Sequence, residues 1–228
     1  MQIEKNVKPR VMIIAFPSFG FVGNIALEFL KEHLKTEKIG RIFIEQIHPI
    51  VAIHKGELIE PVSLYYNRKY NIALLQGISK AVGFENKLGE KIHSLVKKLS
   101  VKEVITLDGV AALGNNVYYY SKFKDDKVFE DIGLKKLKDG VVLGVTAALL
   151  MRLKNITSLF AETQSQLPDS NGAARLIKVL DKYLGLKVDY EPLIEQAKQF
   201  EKKLHEILEK SQNAKKKQEE SEKLSYFG

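Results

Sequence analysis

The fold class follows from one stretch of the chain, Val11-Met12-Ile13-Ile14-Ala15-Phe16-Pro17-Ser18-Phe19-Gly20-Phe21-Val22-Gly23-Asn24. Its opening residues are all apolar and stop at a proline, which is typical of a central strand buried on both faces of a sheet. A loop with two glycines then leads into a helical pattern over residues 25–34. A buried strand, a tight turn and a helix in this order are the unit from which α/β folds are built.

The same alternation continues to about residue 188. Further strands are predicted at 42–46, 51–54, 62–66, 71–76, 103–107, 140–145 and 158–161, and further helices at 85–99, 147–153 and 171–184. The turn-like residues 67–69 join two of these strands in a hairpin, so the sheet contains antiparallel neighbours. Residues 1–188 are therefore predicted to form an α/β body, a three-layer sandwich around a mixed, mostly parallel sheet.

Composition excludes several classes of protein. The 228 residues contain no cysteine, which excludes disulfides and thiolate metal sites. Abundant lysine, glutamate and isoleucine without tryptophan favour a thermophilic cytosol. No apolar run reaches the roughly 18 residues of a membrane span, and the charged residues 1–10 are not followed by a signal core. We expect a soluble, cytoplasmic protein that does not bind membranes.

The net charge of +8 raises the possibility of a nucleic-acid-binding protein. Such a protein needs its basic residues gathered on one face, with aromatic residues among them. Here the lysine pairs Lys97-Lys98, Lys135-Lys136 and Lys202-Lys203 are scattered along the chain, and most have acidic neighbours. The pattern favours a solvated surface, and no nucleic-acid partner is expected.

Ligands of α/β sheets bind beyond the carboxyl ends of the strands, so the residues after each predicted strand deserve inspection. They include Gln76, Asp108, Thr146 and Glu162. These residues do not make a catalytic set of nucleophile, tuned acid or base and orienting group. The five histidines show no metal-ligand spacing. We therefore predict no enzymatic activity, no cofactor and no metal.

An enzymatic alternative stays open at this stage. Gly20 and Gly23 could bind a phosphate at the start of the first helix, with Glu162 or Asp108 as acid or base, in a nucleotide-dependent ligase or a phosphorylase-like enzyme. The loop lacks the third glycine and the Lys-Ser/Thr ending of a nucleotide loop, and it carries two phenylalanines. Tight packing with an apolar contact surface is the favoured interpretation.

Residues 189–210 are predicted to form an amphipathic C-terminal helix. Apolar residues recur there at the spacing of a coiled-coil seam and predict oligomerisation: Leu193, Ala197, Phe200, Leu204, Ile207 and Leu208. The alternative is a helix that lies on its own domain.

Residues 211–228 are predicted to form a charged tether that ends in apolar residues, namely Leu224, Tyr226 and Phe227 before the final Gly228. Chain ends are usually polar, so this ending indicates a ligand for a pocket on another protein. The alternative is that these residues fold back onto the body.

Several short motifs occur in an order that points to a known family. Residues Pro17, Phe19, Gly20, Phe21, Gly23 and Asn24 form the first motif, in a strand-to-helix loop. Later motifs are Leu75-Gln76-Gly77, Leu107-Asp108-Gly109, Gly144-Val145-Thr146, Ala161-Glu162-Thr163 and Pro168-Asp169-Ser170-Asn171-Gly172. Over residues 9–210 the chain resembles the proteasome assembly chaperone family, specifically the archaeal homologues of the second eukaryotic assembly chaperone.

The resemblance implies a phosphorylase-like sandwich without established enzymatic chemistry. It also implies an ATP-independent chaperone that acts as a homo-oligomer and binds the α-subunits of the proteasome core. Some family members end in a hydrophobic residue, a tyrosine and a final free residue, which enter pockets between α-subunits. Tyr226, Phe227 and Gly228 occupy those positions here, so phenylalanine replaces the penultimate tyrosine. A scaffold that recruits a related chaperone subunit is a further alternative.

Overall fold

The structure is a computed structural model, and it describes residues 1–45, 50–54, 56–164, 166–188, 195 and 199. The helices of this part are α1 (Val22–His33), α2 (Glu85–Lys98), α3 (Asp126–Glu130), α4 (Gly144–Arg152) and α5 (Ser170–Leu184). Its strands are β1 (Gln2–Ile3), β2 (Val11–Ala15), β3 (Glu37–Arg41), β4 (Ala52–His54), β5 (Glu57–Ile59), β6 (Val62–Asn67), β7 (Ile72–Gly77), β8 (Glu103–Ala111), β9 (Val117–Ser121), β10 (Lys135–Lys136) and β11 (Ile156–Thr163).

Nine of these strands form one sheet in the order β1-β3-β6-β7-β2-β8-β11-β9-β10, and β4 and β5 form a separate hairpin. The central strands β7, β2, β8 and β11 run parallel. The flanking pairs are antiparallel except for β9 with β10. The predicted mixed sheet is confirmed, but parallel pairs do not predominate among the described strands. The physical reason is that β6 and β7 form an antiparallel hairpin and β9 enters the sheet antiparallel to β11.

Strand β2 lies at the centre because both of its faces are apolar. Val11, Ile13 and Ala15 face the core beneath α1 and α5. Met12 and Ile14 face the second core, beneath α2 and α4. Helices therefore cover both faces of the sheet, which confirms the predicted three-layer sandwich. Each fully buried Leu or Ile side chain in these cores contributes about 1.5–3 kcal/mol to folding.

Helix α5 begins and ends where its sequence predicts. At its start, Asp169 is the N-cap and accepts a hydrogen bond from the backbone N–H of Gly172 at 2.8 Å. At its end, Gly185 has a φ of 67°, a left-handed conformation that glycine adopts without strain. This helix carries the chain from the carboxyl edge of the sheet, where the parallel strands end, back across the first core.

Two predicted strands are wrong. Residues 42–45 are outside any strand, and β3 ends at Arg41. Strand β6, the partner of β3, begins at Val62. The bond from the Ile42 N–H to the Val62 carbonyl is therefore the last of this pairing, and residues 43–45 have no β6 residue opposite them. Residues 140–143 form a loop in which Val141 and Leu143 are exposed, and α4 starts at Gly144. An apolar run forms a strand only where a neighbouring strand can pair with it.

The predicted C-terminal helix (189–210) and charged tether (211–228) lie outside the described residues, apart from residues 195 and 199. The structure therefore does not test the division of the chain at residue 188. Within the described part, no helix is long and apolar enough to cross a membrane.

Candidate functional site at the carboxyl edge of the sheet

The central parallel strands bring the predicted strand-end residues to one edge of the sheet. Strand β2 leads into the 16–24 loop, β7 ends with Gln76 and Gly77, and β8 carries Asp108. Strand β11 ends with Glu162 and Thr163. This is the edge at which α/β proteins bind ligands, and β2 has a parallel neighbour on each side there. This edge is therefore a candidate functional site.

The 16–24 loop itself fills this edge. A Cβ atom on Gly23 would lie 2.2 Å from the Leu107 carbonyl oxygen, and one on Gly109 would lie 1.9 Å from the Phe19 carbonyl oxygen. Both contacts are with backbone, which cannot move aside as a side chain can. The first turn of α1 thus packs directly on β8. The geometry favours the packing interpretation of Gly20 and Gly23.

The loop is also held by hydrogen bonds. Phe21 donates its N–H to the Ser18 carbonyl at 3.2 Å, and Asp169 donates its N–H to the Gly20 carbonyl at 2.9 Å. Gly20 and Phe21 both have positive φ, 65° and 51°, which turns the chain sharply into α1. Pro17, Phe19 and Phe21 are half-buried, and Phe21 packs against the first core. The family motif therefore has a structural role, because its residues hold β2, α1 and the start of α5 together.

Asn24 and Gln76 lie buried between α1 and β7. Asn24 Nδ2 donates to the Gly77 carbonyl at 2.6 Å, and Gln76 Nε2 donates to Glu28 Oε2 at 2.8 Å. Glu28 also forms an ion pair with Lys31 at 2.6 Å. These contacts join the helix to the strand end, while the amide oxygens of Asn24 and Gln76 are buried without a hydrogen-bond partner among the described residues.

Asp108 has an unusual environment for a carboxyl group. Its carboxyl accepts hydrogen bonds from the hydroxyls of Thr146, in the first turn of α4, and Ser18. Part of the residue is exposed, but the carboxyl group is enclosed by protein. Burial raises the pKa of Asp108 to about 7, although the hydrogen bonds from Thr146 and Ser18 offset part of the shift. The carboxyl group joins β8, α4 and the 16–24 loop.

Glu162 shows the opposite behaviour. Its carboxylate accepts hydrogen bonds from the backbone N–H of Asn116 at 2.8 Å, from Asn116 Nδ2 at 2.9 Å and from the Tyr118 hydroxyl at 2.9 Å. The bond from the Asn116 backbone is the main cause that lowers the pKa of Glu162, despite burial. Glu162 is therefore ionised at neutral pH and cannot donate a proton as a general acid.

A polar cleft of about 310 Å³ lies beside this carboxylate, lined by Thr163, Asp169 and Arg175 among others. Arg175 Nη2 donates to the Glu162 carbonyl at 2.5 Å, and the same nitrogen lies 4.0 Å from Asp169. The guanidinium thus binds groups of the protein. Asp108 does not line this cleft. The two candidate acid–base residues of the enzymatic alternative do not share a substrate-sized cavity here.

The described part of the chain contains no group of three or more His, Cys, Asp or Glu residues that could hold a metal ion. Of its histidines, His33 stacks on Phe29 with ring centroids 5.5 Å apart. Sequence reasoning found Asp108, Thr146 and Glu162 as strand-end residues. It missed Ser18, Asn116 and Arg175, because their partners lie 13 to 91 residues away along the chain.

A second candidate surface lies on the β4–β5 hairpin. Ile53 and Leu58 lie opposite each other across the two strands and are 77% and 54% exposed. On the other face, Ile59 is buried. With the exposed Val51, they form an apolar patch, here called the hairpin surface. An apolar solvent-facing side on a two-stranded hairpin is typical of a protein-binding surface.

The remaining predicted site residues lie outside the described part of the chain. They are the seam residues Leu193, Ala197, Phe200, Leu204, Ile207 and Leu208 and the terminal residues Leu224, Tyr226, Phe227 and Gly228. Their roles stay predictions.

The model of the PAC2 family matches residues 12–208, which include the motif loop, all four strand ends and α5. The chain belongs to the PAC2 family. The membership expected from the sequence motifs is thereby confirmed. A relative from Methanocaldococcus jannaschii, an uncharacterized protein, is 31% identical over 205 residues, which cover 87% of this chain and 85% of that protein.

Solved structures show the same fold. Pyrococcus furiosus PbaA, an archaeal homolog of proteasome-assembly chaperone, superposes with a TM-score of 0.80 at 28% identity, over 92% of this chain and 97% of PbaA. Pyrococcus furiosus PbaB, an archaeal proteasome activator, has a TM-score of 0.71 at 20% identity, over 90% of this chain and 97% of PbaB. The likeness to PbaB concerns the fold alone.

Proposed function

We propose that this PAC2 protein is an ATP-independent proteasome assembly chaperone. The observation that carries the proposal is the family match over residues 12–208, together with the likeness to PbaA across nearly the whole of both chains. The carboxyl edge of the sheet adds support, because the glycines of its loop serve the close packing of backbone segments. The exposed hairpin surface fits a protein whose task is to contact other proteins.

The finer proposal concerns the mode of binding. The chain acts as a cytoplasmic homo-oligomer and presents Tyr226, Phe227 and Gly228 to pockets between α-subunits of the proteasome core. Several tails on one oligomer raise the effective concentration of each tail, so a weak single contact gives useful affinity. The aromatic rings supply buried area, and the terminal carboxylate can pair with a lysine of the pocket.

A tail deletion tests this mode of binding. Removal of residues 224–228 should abolish or strongly weaken the complex with purified α-subunits, measured by light scattering coupled to size-exclusion chromatography. The mass of the protein alone and its circular dichroism spectrum should stay unchanged. Undiminished binding by the deleted protein would contradict the tail mechanism but not the chaperone role.

The replacement of tyrosine by phenylalanine gives a sharper test. Phe227→Tyr restores the hydroxyl group and its hydrogen bond, which contributes about 1 kcal/mol, so α-subunit binding should tighten by roughly fivefold. Phe227→Ala should weaken binding because it removes the aromatic ring. Equal affinity of all three proteins would show that this position does not enter a pocket.

The enzymatic alternative has its own test. Isothermal titration calorimetry of the protein with ATP, a nucleoside and inorganic phosphate should give no binding heat. Specific micromolar binding of any of them, lost on a Gly20 or Gly23 substitution that leaves the fold intact, would revive the ligase or phosphorylase hypothesis.

A further inference from the structure

A groove lies between the C-terminal ends of α2 and α4, at the edge of the sheet opposite the 16–24 loop. Four basic side chains line it: Lys97 from α2, Lys102 from the residue before β8, Arg152 from α4 and Lys154 from the α4–β11 loop. The groove has a volume of about 500 Å³. Asn155 holds its two sides together, because Asn155 Nδ2 donates to the carbonyls of Val101 and Lys102 at 3.1 and 3.0 Å. We call it the α2/α4 groove.

Its charge is largely unbalanced within the described part of the chain. No carboxylate lines the groove there. Arg152 lies 3.6 Å from Glu90, whose side chain is mostly exposed. No ion pair of Lys97, Lys102 or Lys154 is formed among the described residues, and all three are exposed. Like charges brought this close repel one another, so an acidic partner would stabilise the groove.

The floor of the groove is apolar. Val96, Val101 and Leu153 lie beneath the basic side chains and belong to the hydrophobic core or border it. An apolar floor with a basic rim matches a ligand that has both an apolar side chain and acidic groups. The volume is sufficient for a few side chains.

Two other ligand classes fit less well. Single-stranded nucleic acids stack their bases on aromatic residues, and no aromatic side chain other than His93 lines this groove in the described structure. A small anion such as phosphate would lie against the C-terminal ends of α2 and α4, whose carbonyl groups carry the negative end of the helix dipole. Long lysine side chains can instead reach acidic groups held above the helix ends.

We propose that the α2/α4 groove binds an acidic segment of another protein, which inserts an apolar side chain between the lysines. This assigns a second protein-binding surface to the molecule and goes beyond the proposed function, because it involves neither the C-terminal tail nor the hairpin surface. Charge complementarity sets the orientation and association rate of the segment, and the apolar insertion supplies most of the affinity.

Fluorescence anisotropy of the full-length protein with a labelled peptide tests the proposal. The probe is a twelve-residue peptide of aspartate and glutamate with two leucines, and a second peptide has serines in place of both leucines. The leucine peptide should bind, and the serine peptide should bind at least tenfold more weakly. Raising the salt concentration should weaken binding, because the contacts are electrostatic and exposed.

Variants locate the binding site. Lys97→Glu with Lys102→Glu should weaken binding of the leucine peptide by about tenfold or more. The matched control is Lys98→Glu with Lys178→Glu, which changes the net charge equally at exposed helix positions outside the groove and should leave binding within about twofold. Equal losses in the two variants would overturn the proposal, since attraction would then depend on net charge alone.

Three further results would overturn it. The first is no binding of the leucine peptide to the full chain, which is expected if the chain's own C-terminal residues fill the groove. The second is a change in oligomer mass in the Lys97→Glu, Lys102→Glu protein, which would make the groove a contact between copies. The third is tighter binding of a single-stranded oligonucleotide than of the peptide, with the same loss in the groove variant.

Discussion

At the positions of Gly23 and Gly109, a side chain would occupy space that the backbone of a neighbouring segment fills. The family motif therefore needs glycine for close approach of two main chains rather than for phosphate binding. Gly20 adds a second reason, since its φ is 65° and the Thr163 side chain lies within 2.8 Å of its missing Cβ atom. Single residues thus explain why the 16–24 loop packs so closely on the strand ends.

Gly23→Ala should destabilise the protein by about 2–4 kcal/mol, because the new methyl group meets the Leu107 carbonyl oxygen. The effect opposes helix propensity, which favours alanine over glycine in α1 by about 1 kcal/mol. Urea unfolding followed by circular dichroism measures it. Gly140→Ala is the control, since a Cβ atom there makes only ordinary contacts, from 3.6 Å outward. Similar stability of the two variants would contradict the packing account.

Asp108 predicts a pH dependence at the same edge. Burial raises its pKa to about 7 from an ordinary value of 3.8, so between these values the folded state holds a proton that the unfolded state has lost. The free energy of unfolding should therefore fall as pH rises through this window. Asp108→Asn keeps an oxygen acceptor but has no titrating group, so the free energy of unfolding of the variant should not fall in this way. Its stability relative to wild type should rise between pH 4 and pH 8 by at most about 4 kcal/mol, and by less where solvent reaches the residue.

Urea titrations at several pH values measure this difference. Asp126→Asn is the comparison, because the hydrogen bond with Lys136 lowers the pKa of Asp126 and gives a dependence of the opposite sign. A difference between Asp108→Asn and wild type that does not vary with pH would show that the Asp108 carboxyl group is ordinary.

At the scale of elements, local spacing predicted most helices and strands but not their partners. The helices at 85–99 and 171–184 are confirmed to within a residue, because an apolar stripe and a cap are local properties. The run 140–145 is equally apolar, yet residues 140–143 form a loop in which Val141 and Leu143 are exposed. The short strands β1 and β10 carry no periodic signal at all, since two residues are too few to show one.

Helix α5 offers a prediction at this scale. Asp169→Ala removes the bond that its side chain accepts from Gly172, so the helix should lose about 1 kcal/mol of stability. The Asp169 N–H also donates to the Gly20 carbonyl, so loosening of the helix start in the Asp169→Ala protein should loosen the 16–24 loop as well. Amide hydrogen exchange in that loop should therefore be faster in the variant than in wild type. Asn171→Ala, an exposed change in the same turn, should have little effect on either measurement. A larger effect of Asn171→Ala would contradict the capping role.

At the scale of the whole molecule, the proposed protein-binding surfaces lie on the exposed outside of the fold. The hairpin surface and the α2/α4 groove are both exposed and lie on different parts of the chain. The charged and apolar side chains at the outside of these surfaces are exposed, so substitutions there should alter binding without unfolding the protein.

Ile53→Thr with Leu58→Thr should test this separation. Both side chains are exposed, so the free energy of unfolding should change by less than about 1 kcal/mol, while the oligomer mass or α-subunit binding should decrease. Light scattering of the protein alone and with α-subunits measures both properties. Leu113→Thr, another exposed apolar change, is the control. Unchanged assembly and binding would show that the hairpin surface is not a contact of either kind.

The sequence alone determined the α/β class, the strand-end residues and the family, because buried strands, helical stripes and ordered motifs are properties of neighbouring residues. Only the tertiary structure decided which distant residues meet. Lys97 and Arg152 look like scattered charges in the sequence, yet the parallel pairing of β8 with β11 brings their helices to one groove. The pairing order of the sheet sets these distances, and it depends on long-range packing that no local pattern contains.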